Sequence, residues 1–156
     1  MHDRIVDQVL RLTAEKELAS NDAFILRFDV MILFVSAVLR RLHQAGPDYH
    51  LCAQMVWDIT FEGLEESLRN RGVSDLRLAS RMRTLLQNAT GRRNAYLAAW
   101  EEQDGLRSAI GRNVFNGAEA SDPRIDRVLA NLPGFADSVL GPLAPLPATT
   151  HQKGIP

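Results

Sequence analysis

An all-α fold is what this sequence predicts: a single-domain bundle of about six helices followed by a Pro-rich C-terminal tail. Three observations carry that prediction. Apolar residues recur at spacings of three and four along most of the chain, the mark of helices with one buried face. No alternating apolar–polar run is long enough to compete as a strand. Six of the seven prolines fall in residues 118–156, so these helix breakers are concentrated at the end. The 156 residues suit one ordinary domain, and a chain of this size buries roughly 70% of its unfolded surface.

The elements follow in order. Ile5, Val9 and Leu12 share a stripe on a first helix over residues 3–19. Asn21-Asp22 supplies an N-cap for a second helix reaching residue 43. There Ile25, Phe28, Ile32, Val35, Leu39 and Leu42 recur at spacings of three and four, while Phe24, Met31 and Val38 repeat beside them at seven. A helix apolar over so much of its circumference is buried on several sides, which makes it the centre of the bundle. Its apolar stretch, residues 30–39, spans about 15 Å as helix and is too short to cross a membrane. Gly46-Pro47 separates it from a third helix, residues 48–70, with Trp57, Phe61, Leu64 and Leu68 as its apolar row and Gly72 as its stop. Ser74-Asp75 caps a fourth helix over residues 76–88. Gly91 kinks it or breaks it before a fifth over 92–103, and a sixth over 104–115 ends at Asn116-Gly117.

The change of composition there divides the chain into a helical domain, residues 1–117, and an extension, residues 118–156. The extension carries one short helix over 122–132. Its Pro142-Leu143-Ala144-Pro145 run reads as extended polyproline-like chain leading into a disordered end.

Little of this supports catalysis. His43, His50 and Cys52 do not have zinc-ligand spacing, and no nucleophile elbow, Walker sequence or dinucleotide fingerprint occurs. A single cysteine excludes an internal disulfide framework. No cofactor or metal is expected. Asp58, Glu62 and Glu65, with Glu66, gather on one side of the third helix, where a solvated or partner-binding face outweighs an acid/base pair. Glu65 and Arg69 are placed for an i,i+4 ion pair.

Net charge is −1, yet the cations are unevenly spread. Sixteen of the eighteen are arginine, and residues 69–93 hold seven arginines against the single acid Asp75. Arg77, Arg81 and, across Gly91, Arg92 project within about 60° of one another on a helix. With Arg69 they form a candidate basic face for ribosomal RNA, anionic lipid or an acidic partner. Aromatic residues for base stacking are not interleaved there.

The same stretches carry a family resemblance. Arg27-Phe28-Asp29 precedes an apolar helix ending Leu39-Arg40-Arg41-Leu42. Phe61 and Leu68-Arg69 follow, then Gly72-Val73-Ser74-Asp75-Leu76. Arg81-Met82, Gly91-Arg92, Ala95-Tyr96 and Arg112-Asn113 with Phe115 complete the series. In this order, over residues 5–117, the chain resembles the ubiquinol–cytochrome c chaperone family, with departures at Phe34, at Phe61-Glu62-Gly63-Leu64-Glu65 and at Thr90.

The resemblance implies a non-catalytic assembly chaperone for the cytochrome bc1 complex. Cytochrome b or its assembly intermediates would be the client, and the ribosome or a small partner protein further contacts. Residues 1–20 are charged throughout and read as no targeting segment, so a cytoplasmic protein, peripheral at the inner membrane, is expected. The alternative is a helical adaptor that binds RNA, ribosome or anionic lipid through the arginines alone. One structural expectation is specific: Arg27, at the start of the most apolar helix, should pair with Glu62 or Glu65 of the third.

Overall fold

The computed structural model describes residues 1–15, 18 and 22–143. Among these, seven α-helices follow one another: α1 (His2–Thr13), α2 (Ala23–Ala45), α3 (His50–Asn70), α4 (Asp75–Ala99), α5 (Gln103–Val114), α6 (Pro123–Leu129) and α7 (Phe135–Leu140). A 3-10 turn, Pro47–Tyr49, leads into α3. The all-α bundle is therefore as the periodicity predicts. Two elements differ without changing the total: α4 runs unbroken through Gly91, and the C-terminal segment forms two short helices instead of one. Gly91 is exposed with nothing packed near its α-carbon, so no contact bends the helix there. A glycine costs such a helix about 1 kcal/mol, and the packing around α4 outweighs that. The first helix ends at Thr13, short of the expected residue 19. The expected polyproline-like run and disordered end lie almost wholly outside the described residues.

α2 is the hub, and α1, α3, α4, α5 and α7 all pack against it. Ile32, Leu33, Phe34 and Val35 are fully enclosed, which explains apolar residues on every side of the helix. Two buried hydroxyls are satisfied within their own helices, Ser36 donating to the Ile32 carbonyl and Thr60 to that of Val56, each at 2.7 Å. Asp22 caps α2 by accepting from the backbone N–H groups of Phe24 and Ile25 at 3.1 and 3.0 Å. α3 ends in a Schellman turn: Gly72 has φ +79°, its N–H donates to the Arg69 carbonyl and that of Val73 to Leu68.

The ends of the chain meet across the hub. Phe135 of α7 sets its ring edge-on against Phe34 at 4.6 Å between centroids. Arg41 pairs with Asp137 at 2.7 Å, and Arg127 of α6 reaches Glu15 beyond α1 at 2.6 Å.

Candidate functional site

Two pieces of the recurrent sequence pattern come together in the interior. Asp29 of α2 is 2% exposed and faces Arg92 of α4, with 3.0 Å between Oδ1 and Nη2. The Arg92 guanidinium also lies over the Phe28 ring, 5.5 Å from its centroid. Tyr96, one turn further along α4, is fully enclosed with Asn113 of α5 beside its hydroxyl. Burial pushes the Asp29 carboxyl up to about 7, against the opposing pull of Arg92 and with a small push from Asp22. Burial, then Asp29, raise the Tyr96 phenol in the same way. This buried junction ties α2, α4 and α5 together. A carboxyl so enclosed meets no substrate, and among the described residues no cluster of metal-ligating side chains occurs.

The chemistry open to solvent lies elsewhere. On α3, Leu51, Met55 and Ile59 are 71, 52 and 37% exposed, and their spacing of four lines them along the outer side of the helix. The same side continues into exposed Glu62 and Glu66, so the outward face of α3 is apolar at its start and acidic at its end. Beside it, an open groove between α3 and α4 is lined by Trp57, Phe61, Met82 and Leu86, with Asp58, Glu62 and Arg83 at the rim. Trp57 and Phe61 pack ring on ring at 5.0 Å, and Arg93 covers Trp57 at 4.6 Å. These contacts hold the aromatic floor in place.

A second open region is basic. Arg71, Arg77 and Arg81 line a cleft between the start of α2, the turn at Gly72 and the first half of α4. The Arg71 and Arg81 guanidinium groups both approach the Phe24 ring, at 5.1 and 5.3 Å.

The sequence-picked residues are thus divided. Arg77 and Arg81 are exposed and share the cleft. Arg69 is occupied, at 2.6 Å from Glu65 on its own helix and 3.9 Å from Asp75. The Glu65–Arg69 pair was legible from spacing. Arg92 has the helical phase of Arg81, but at that height the phase turns it onto Asp29. Asp58 and Glu62 stand together on the groove rim, with Asp58 accepting from Gln54 at 2.7 Å.

The expected pairing of Arg27 with Glu62 or Glu65 is not formed. Glu65 is engaged by Arg69, and the Arg27 Nε is buried without a hydrogen-bond partner. The pair that joins two helices is Asp29 with Arg92. Sequence reading also missed Arg71 as a cleft residue and the Leu51, Met55, Ile59 stripe. The stripe has a signal, a spacing of four on the side opposite Ala53, Val56 and Thr60, which are buried.

A family model described as ubiquinol-cytochrome C chaperone matches residues 16–154. Neither the curated proteins nor the solved structures contain a match to the chain.

Proposed function

The chain belongs to the ubiquinol–cytochrome C chaperone family, and from that premise we propose which of its surfaces meets the client. The family is one of chaperones, not enzymes, and the protein is a non-catalytic assembly chaperone of the cytochrome bc1 complex, interacting with cytochrome b or bc1 assembly intermediates. Our reading is that the outer face of α3, with the groove between α3 and α4, is where cytochrome b binds.

The carrying observation is the solvent-facing stripe of Leu51, Met55 and Ile59. A contiguous row of large apolar side chains beside an open aromatic-floored groove is the kind of surface that soluble domains keep for partners. Asp58, Glu62 and Glu66 border it, which favours a client segment that is apolar with flanking cations, as the ends of membrane-spanning helices are. No described helix is long and apolar enough to cross a membrane, so the encounter on this reading occurs peripherally, at the inner membrane.

Deleting the gene should lower assembled cytochrome b and leave other membrane cytochromes intact. Wild-type protein should restore it, whereas Leu51→Glu with Met55→Glu should not, although both side chains are exposed and the melting temperature should be unchanged. A double variant that restores cytochrome b fully would remove the α3 face from the proposal. The arginine adaptor reading retains one supporting observation, the open basic cleft.

A further inference from the structure

An apolar cavity of about 290 Å³ lies between α1, the first half of α2 and the second half of α3. Val6, Val9, Phe24, Phe28, Met31 and Leu64 wall it. The basic cleft opens next to it, and Arg71 lines both spaces. Phe24 is the partition: its ring walls the cavity and carries the Arg71 and Arg81 guanidinium groups at 5.1 and 5.3 Å. Among the described residues none of Arg71, Arg77 and Arg81 is in an ion pair. Three gathered cations without a counter-charge attract an anion, and guanidinium forks suit phosphate oxygens. Ser74, Ser80 and Thr84 add hydroxyl groups to the same cleft. Arg27 lines the cavity, and its buried Nε–H has no acceptor.

We propose that this junction binds an anionic phospholipid, its phosphate on Arg71, Arg77 and Arg81 and the first part of one acyl chain past Phe24 in the cavity. Each half of the site then has its complement. The phosphate supplies the charge that the cleft lacks. The methylenes fill an apolar space at the lower edge of the ~300–1,000 Å³ typical of small-molecule sites, enough for part of a chain. The ester carbonyl of the lipid is an acceptor of the kind that Arg27 lacks. A free phosphate would satisfy the cleft alone and leave the cavity and Arg27 unexplained. The site shares no lining residue with the α3 groove. It gives the peripheral membrane seat a molecular contact and rests on that reading for its setting only.

Calorimetric titration of the purified full chain tests it, with 1-lauroyl lysophosphatidic acid below its micelle threshold as the probe. Glycerol 3-phosphate is the arm without a chain, and lauroyl lysophosphatidylcholine the arm without net charge. One lysophosphatidic acid should bind per chain, at least about a hundredfold tighter than glycerol 3-phosphate, because each seated methylene contributes roughly fourfold. Arg77→Glu with Arg81→Glu should weaken it by about thirtyfold or more, roughly fivefold for each cation lost, at an unchanged melting temperature.

Val6→Phe, which fills the cavity, should bring lysophosphatidic acid towards glycerol 3-phosphate and leave the latter unaffected. Met31→Trp reads the same outcome from another wall should Val6→Phe not fold. Equal affinity for glycerol 3-phosphate would make this a free-phosphate site and overturn the proposal. So would equal affinity for the uncharged-headed lipid, or binding indifferent to the two arginines. No client is present in the titration, so its failure leaves the cytochrome b reading standing, and the reverse also holds.

Discussion

Asp29 carries a carboxyl into a region from which water is excluded, and its environment decides when that carboxyl is charged. Burial raises it from 3.8 to about 7, so between about pH 4 and 7 the folded chain keeps a proton that the unfolded chain has released. Stability from this group is therefore full below about pH 4, declines as the pH rises through that window and is gone above about 7. The slope can reach about 1.4 kcal/mol per pH unit. Chemical denaturation of wild type and Asp29→Asn at pH 5 and pH 8 should show wild type losing stability relative to the variant at the higher pH.

Arg92→Ala makes the complementary point. Removing one partner of a buried pair costs about 3–5 kcal/mol when the other stays charged. Without Arg92 the carboxyl can still escape by protonation in acid, so the loss should be larger at pH 8 than at pH 5. A loss equal at the two pH values would mean that Asp29 and Arg92 do not interact electrostatically. The residue types of this pair were readable in the sequence, but its partners were not. In the sequence Arg92 belongs to the candidate basic face and nothing connects it to Asp29, because the rotation of α4 about its own axis relative to α2 is a tertiary quantity.

At the scale of the element, α4 shows where local signals lose to packing. A glycine at position 91 suggested a break, and Leu78, Leu85, Ala89 and Tyr96, buried on both sides of it, hold the helix straight through. Since nothing lies where a β-carbon at Gly91 would stand, Gly91→Ala should stabilise by about 0.5–1 kcal/mol and raise the melting temperature by roughly 1–4 °C. Gly111 of α5 is the opposite case. A β-carbon there would collide with the Ala118 carbonyl oxygen, which the turn through Asn116 and Gly117 folds back over the helix. Gly111→Ala should cost several times what Gly91→Ala gains, with thermal melts of the two variants moving in opposite directions. Two glycines in helical stretches look alike in the sequence. The returning turn that separates them is a non-local contact, even though the Asn116-Gly117 stop that makes it was visible. α7 was missed for a related reason: six residues give too short a period to register, and its place comes from Phe135 on Phe34.

For the whole molecule, one buried helix organises everything else, and that was legible because α2 is apolar around its circumference. The faces the other helices leave outward were harder to read. On α3, Trp57 and Phe61 share an apolar row with Leu64 and Leu68; Trp57 is buried in the core and Phe61 half-buried against it, yet both also line the open groove. Periodicity reports that residues share a side, not whether a neighbour covers it. The ordered resemblance over residues 5–117 held up better, because it rests on many weak matches that each constrain the same packing, and the family match spans residues 16–154.

The bundle then presents an apolar and acidic face on α3 and a basic cleft with an adjoining apolar cavity elsewhere. That division suits the two proposals, in which a membrane-bound client and an anionic lipid meet different surfaces. Site-specific photo-crosslinking in native membranes examines it directly, with the crosslinker at Met55 on the α3 stripe and, as control, at exposed Arg112 on α5. Cytochrome b should be captured from position 55 and not from position 112. No cytochrome b adduct at 55, or equal capture from both, would contradict the assignment of α3 as the client face.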